Sequence, residues 1–331
     1  MSVRQQYGVG IGATAPIATP RMHNHSMSIT VESPPVLAPK VRFSDVTSRD
    51  GTRLRAWTND AEGPAVLVCN GLGTNAYAWP ALLDPGCGVR VVSWNHRGVG
   101  GSDRPVDPSR VGIDEYVDDA IAVLDHAGID SCVVLGWSFG VNTAFELATR
   151  QPHRVRGLLA VAGVPGNTFG AMLEPTRMPR LVRRNLSLGG ARALRRGGRL
   201  LTPITKRTPL TAVQIALLRY SGFMFPAAQP AAVRLAVREF FTTPMEWYAH
   251  LALEAARHPR VSLSGIQVPT TFIAGRWDVL TGAREIASAA ARMPQANYIE
   301  LRGGHFLPLE QPEAIQRELR ALIRRACARD N

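Results

Sequence analysis

Short apolar runs alternate with amphipathic stretches along most of the chain. Val41–Val46 and Arg53–Trp57 predict the first two strands, joined through the Asp50-Gly51 turn. Apolar-rich runs at residues 65–69, 90–94, 132–136, 155–161, 270–274 and 297–301 complete eight strands. Helical periodicity falls between them: near 76–83, from Asp114 to His126, and near 139–150, 283–292 and 311–327. In the Asp114–His126 helix, Tyr116, Ala120, Ile121, Val123 and Leu124 make the stripe expected to be buried. This alternation predicts an α/β protein with a mostly parallel eight-stranded sheet and helices on both faces. It breaks between about 166 and 258, where turn residues and helical periodicity occur without a strand. That stretch predicts a helical cap (166–258) inserted between strands six and seven of a core formed by 41–165 and 259–331. Residues 1–40 carry scattered Gly, Pro, Ser and His with no period, which predicts a disordered leader, and Met27 is a second candidate start.

One pentapeptide sits where chemistry would be expected. Gly136-Trp137-Ser138-Phe139-Gly140 follows the apolar run Cys132–Leu135 and precedes the helical run from Val141 to Arg150. A G-x-S-x-G motif between strand and helix places its serine on a strained turn with the hydroxyl pushed outward. The small residues two before and two after let strand and helix approach closely.

A serine hydroxyl needs a base to take its proton and a third group to orient that base. Asp278 lies just past the strand 270–274, and His305 just past the strand 297–301. In a parallel sheet the carboxyl ends of strands share one edge, so Ser138, Asp278 and His305 can meet there. Alone, Asp278 reads more readily as a turn or capping residue, and His305 as a structural or surface histidine. Their order and shared strand-end setting favour a Ser-Asp-His set. His96, beside Arg97, reads as structural.

Acyl transfer also places negative charge on a substrate oxygen. The backbone N–H of Phe139, after the serine, is one expected donor. The other is the Leu72 N–H, in the Asn70-Gly71-Leu72-Gly73 loop after the buried run 65–69, although Asn70-Gly71 taken alone is also an ordinary turn signal.

Five segments together carry a resemblance. They are Asn70-Gly71-Leu72-Gly73 with Trp79 following, the run Trp94 to Asp103, the elbow around Ser138, Gly275-Arg276-Trp277-Asp278, and Gly304-His305 through Pro312. Over residues 40–328 the chain resembles the α/β-hydrolase superfamily, in the branch with a cap domain. The resemblance implies a Ser138–Asp278–His305 triad, an ester-hydrolysing serine enzyme similar to carboxylesterases, and no metal or organic cofactor. Two positions depart from the family pattern: Asn70 stands where His is usual, and Asn95 where Asp is usual. Dehalogenase and epoxide hydrolase relatives carry Asp at the position of Ser138, which disfavours both chemistries here. Gly136-Trp137-Ser138 is similar to the elbow of some carboxylesterases acting on acyl-carrier conjugates.

Composition narrows the alternatives. At 331 residues and 45% apolar content, the chain can hold one large α/β domain with an insertion. No run of about 18 apolar residues is present. Cys69, Cys87, Cys132 and Cys327 have no metal-ligand spacing and read as reduced thiols of a cytoplasmic protein. The formal charge is +12, and only Lys40 and Lys206 among 38 basic residues are lysine. From Glu174 to Arg207 that glutamate is the single acid, and basic residues crowd from Arg177 onward with leucines between them. This is either a solvated arginine face or a surface for anionic lipid or a phosphate-bearing acyl carrier. Charge without a binding motif does not indicate nucleic acid. Large apolar residues of the cap (Phe223, Met224, Phe225, Phe240, Phe241, Met245, Trp247, Tyr248) would pack it onto the core and line an acyl pocket. The expected substrate is a small acyl ester. Thioesters, lactones, activated carbon–carbon bonds, perhydrolysis and acyl transfer fit the same residues, and a non-catalytic ligand receptor is the reading from another class.

Overall fold

In the computed structural model, residues 41–328 are described, apart from 167, 174, 175, 208, 222 and 260, and the apolar runs become the strands of one sheet. The leader predicted for residues 1–40, the start at Met27, and Glu174 lie outside the described residues. The strands are β1 (Arg42–Thr47), β2 (Arg53–Thr58), β3 (Ala65–Cys69), β4 (Arg90–Trp94), β5 (Cys132–Trp137), β6 (Val155–Val161), β7 (Thr270–Gly275) and β8 (Ala296–Leu301). Their spatial order is β1-β2-β4-β3-β5-β6-β7-β8. The two pairings at one edge, β1 with β2 and β2 with β4, are antiparallel, and all others are parallel. Every predicted strand forms, within one residue at each end.

Both faces are covered because alternate residues of the central strands project to opposite sides. On one face Leu67 and Val134 pack with α1 (Ile113–His126) and α2 (Gly140–Arg150). On the other, Val66, Val68, Val133 and Leu135 meet the C-terminal helix, which contributes Ile315, Leu319, Leu322 and Ile323. These four recur at helical spacing, so one stripe of that helix is apolar.

Between β6 and β7 the described residues form five helices: α3 (Thr168–Ala171), α4 (Arg180–Arg207), α5 (Ala212–Arg219), α6 (Pro230–Phe240) and α7 (Met245–Ala255). After β7 come α8 (Ala283–Ala290), α9 (Leu307–Glu310) and α10 (Pro312–Cys327). α4 crosses α7 at Gly198, where an added Cβ would lie 2.5 Å from the Glu246 nitrogen. α7 is fixed to the core by Trp247, whose Nε1 donates to the Arg97 carbonyl at 2.9 Å.

Three sequence expectations fail locally. No α-helix covers 76–83; the segment has only a 3-10 turn, Ala76–Ala78. Trp79 precedes Pro80, and that neighbour pushes it out of helical geometry, to φ −120° and ψ 56°. In α1, Ile121 is half-buried, whereas Asp119 is fully buried. A carboxylate enters that stripe because Arg97, itself fully buried, pairs with it at 2.6 Å. Finally, Arg183 does not belong to a solvated arginine face: it is buried, with its guanidinium donating to the Met172 carbonyl.

Candidate active site

Ser138 directly follows β5 and adopts φ +55°, a left-handed conformation that non-glycine residues rarely take. The surrounding glycines explain how the strain is held. An added Cβ on Gly136 would lie 2.7 Å from the Gly140 carbonyl oxygen, and one on Gly140 would lie 1.9 Å from the Cys69 oxygen. β5, α2 and the end of β3 therefore approach as closely as backbones can. Gly163 plays the same part from just past β6, since its Cβ would fall 2.4 Å from the Ser138 carbonyl oxygen. The Ser138 N–H donates to the Val161 carbonyl at 2.8 Å.

The three strand-end residues come together. His305 Nε2 lies 2.8 Å from Ser138 Oγ, and His305 Nδ1 lies 2.8 Å from Asp278 Oδ2. Asp278 is buried, and its other oxygen accepts the N–H groups of Leu280 and Thr281 at 2.7 and 2.8 Å. With both oxygens engaged, the carboxylate is fixed in the plane that orients the imidazole. His305 is fixed as well, because its carbonyl accepts the indole N–H of Trp137 at 3.0 Å.

Leu72 and Phe139 line the same cavity as Ser138 and His305. Among the described residues, neither backbone N–H has an internal acceptor. The loop carrying Leu72 is held by Asn70, which accepts from Trp79 Nε1 at 2.7 Å and donates to Ser93 Oγ at 3.0 Å. Asn70 thus links the loop to Trp79 and to β4 through its side-chain amide. Asn95, the second departure, donates to the Gly100 carbonyl at 2.7 Å and closes its own turn.

The cavity holds about 390 Å³, and its wall is mainly apolar. Phe223, Met224, Phe240, Phe241 and Tyr248 of the insertion line it, together with Phe169 and Met172. Three others of that set pack instead of lining the cavity. Phe225 stacks on Trp277 with centroids 4.6 Å apart. Trp247 docks on the core, and Met245 is buried at the start of α7. Among the described residues, no three His, Cys, Asp or Glu side chains are grouped to hold a metal ion.

His96 is buried, edge-on to Tyr116 at 4.9 Å and tilted against Phe139 at 6.1 Å. Burial pushes its imidazole down to about 4, so it is neutral at physiological pH. It packs beneath the elbow, as a structural histidine would.

Glu310, read in the sequence only as part of the segment Gly304 through Pro312, reaches the site. Buried at the end of α9, its carboxylate accepts the N–H of Gly304 at 2.5 Å and of Phe225 at 3.1 Å. One carboxylate therefore ties the loop next to His305 to a segment of the insertion. Burial raises its pKa, opposed by those backbone donors. An acid closing the apolar run Phe306–Leu309 is the signal that could have marked it.

A family model described as the alpha/beta hydrolase fold matches residues 64–312. The 3-oxoadipate enol-lactonase 2 of Acinetobacter baylyi is 27% identical over 293 residues, covering 87% of this chain and 99% of its own length. Epoxide hydrolase A of Mycobacterium tuberculosis is 27% identical over 315 residues, covering 83% of this chain and 94% of its own. Among solved structures, an esterase from Thermogutta terrifontis is similar in fold, with TM-score 0.63 at 20% identity over 86% of this chain and 99% of that one. The strand order, the elbow between β5 and α2, and these matches agree: the chain belongs to the α/β-hydrolase family of enzymes.

Proposed function

We propose that the protein is a serine hydrolase that cleaves carboxylic esters, lactones included, through an acyl-enzyme intermediate. The observation that carries this reading is the continuous Ser138–His305–Asp278 hydrogen-bonded series, 2.8 Å at each step, at an apolar cavity. Ser138 Oγ attacks the carbonyl carbon while its proton passes to His305 Nε2. Asp278, held by two backbone donors, keeps the Nδ1–H tautomer in place and stabilises the imidazolium that forms. The oxyanion lies against the N–H groups of Phe139 and Leu72, each worth about 3 kcal/mol of transition-state stabilisation. Collapse expels the alcohol, which takes the proton from Nε2; in a lactone the alcohol stays attached to the acyl chain. Water then repeats the sequence and restores Ser138.

The relatives' names pull in two directions, lactone and epoxide. A serine opening an epoxide would form an ether, which water cannot readily cleave, so turnover would stop after one event. A serine acylated by a lactone forms an ester, which the same His305 can hydrolyse. Lactones and open esters therefore fit this nucleophile, and the apolar wall suits an alkyl or aryl acyl group. The helices between residues 166 and 258 serve as the cap supplying that wall.

The test is hydrolysis of p-nitrophenyl esters from acetate to palmitate and of simple γ- and δ-lactones, with Ser138→Ala in parallel. The expected result is turnover by the native chain and a loss of about 10⁶ in kcat for the variant. Equal rates in both, or multiple turnovers of styrene oxide, would overturn the proposal.

A further inference from the structure

α4 is 28 residues long, about 42 Å, and contains no Asp or Glu. Among the described residues, none of its helical neighbours hides its outer side: Leu200 is 79% exposed, Ile204 60%, Leu186 57% and Val182 49%. At about 100° per residue, Val182, Leu186, Ala193, Leu200 and Ile204 fall within about 40° of one another on the helix circumference. Directly beside this stripe, Arg184, Arg192, Arg195, Arg196, Arg199 and Lys206 spread over about 120°. Arg180 is tied to Glu285, and Arg183 lies 4.0 Å from the same carboxylate. Among the described residues, no carboxylate lies within ion-pair distance of the other cationic side chains of α4. The basic flank opens into two hollows along α7, which share Arg195 and Arg196.

We propose that α4 is a docking helix for an anionic lipid bilayer. Its apolar stripe enters the acyl boundary while the adjoining arginines engage headgroup phosphates in the hollows. A solvated arginine face accounts for the charge but leaves the exposed leucine–isoleucine stripe without a purpose. An apolar stripe alone would suit any greasy partner. The two side by side match a surface with phosphate above and hydrocarbon below. The inference does not depend on the ester reading, because none of these residues lines the catalytic cavity.

The experiment is flotation of the full chain with vesicles of phosphatidylcholine alone, and of phosphatidylcholine mixed with phosphatidylglycerol, at low and high salt. Binding is expected only with phosphatidylglycerol, and salt should weaken it. Each arginine removed should cost about fivefold in affinity, so Arg192→Gln with Arg196→Gln should lose about 25-fold. The paired lysine variant should retain most binding, and Leu186→Gln with Leu200→Gln should weaken it. Circular dichroism melting of each variant reports whether it folds. If a variant unfolds, the lipid and salt dependence of the native chain still decides. Equal binding to both vesicle types, salt-insensitive binding, no binding, or an unaffected leucine variant would overturn the proposal. So would binding of a short RNA without binding of vesicles.

Discussion

At the scale of single residues, the site depends on groups that fix other groups. Ser138 is held at positive φ by three glycines that have no space for a Cβ, and His305 is held at its ring, at its carbonyl and through its loop. Glu310 acts on the last of these. Replacing it with Gln leaves one acceptor oxygen for two N–H donors and turns an amide N–H₂ toward one of them. Glu310→Gln is expected to lower kcat by about tenfold or more, with KM changing less, because His305 is displaced from its working geometry. Steady-state kinetics beside a melting curve checks this. Unchanged kcat in a variant of lowered stability would make Glu310 purely structural.

At the scale of elements, α4 shows two uses of glycine. Gly189 and Gly190 face open space, so nothing requires them to lack a Cβ. Replacing either with Ala should stabilise the helix by about 0.5–1 kcal/mol. Gly198 is the reverse case, because its Cβ would meet the α7 backbone at 2.5 Å. Gly198→Ala should destabilise by about 1–3 kcal/mol through overpacking. Denaturant titration of the three variants checks the opposite signs.

At the scale of the molecule, Arg97 joins parts far apart in sequence. Its guanidinium pairs with Asp50 and with Asp119 of α1, and donates to Ser48 and the Arg110 carbonyl. Its own carbonyl receives Trp247 from the insertion. Arg97→Met would leave the buried Asp119 without a cation and Asp50 with only Arg110, at 3.7 Å, and should cost about 3–5 kcal/mol of stability. Burial alone would raise the Asp50 pKa, but hydrogen bonds from Arg97 and Thr52 hold it down to about 2. A depressed carboxyl adds stability that is present above its unfolded value, about 3.9, and is lost as pH falls through about 2. His96 acts earlier on the same side. The unfolded chain takes up its proton below about 6.5, while the folded chain resists until about 4, so stability falls across that window. His96→Phe should flatten the decline between those limits while leaving the lower one, as melting temperatures measured against pH would reveal.

Much of this was legible in the chain. The strands could be read because buried parallel strands are continuous apolar runs, and the turn residues around them are local signals. Ser138, Asp278 and His305 could be read because each follows a strand, and strand ends share an edge in such a sheet. That the helix expected at 76–83 would not form was not legible, because Pro80 and the Trp79–Asn70 bond outweigh a weak local preference. Asp119, Arg183 and Glu310 were hidden for a common reason. A charged residue is placed on the surface by default, and only partners distant in sequence can make its burial tolerable. Sequence by itself determined the element order and which serine, histidine and aspartate follow strand ends on one edge of the sheet, since these rest on local pattern and motif. Tertiary structure alone decided how the cavity is walled, which charges are buried and which face of α4 meets solvent, because each depends on contacts between segments far apart along the chain.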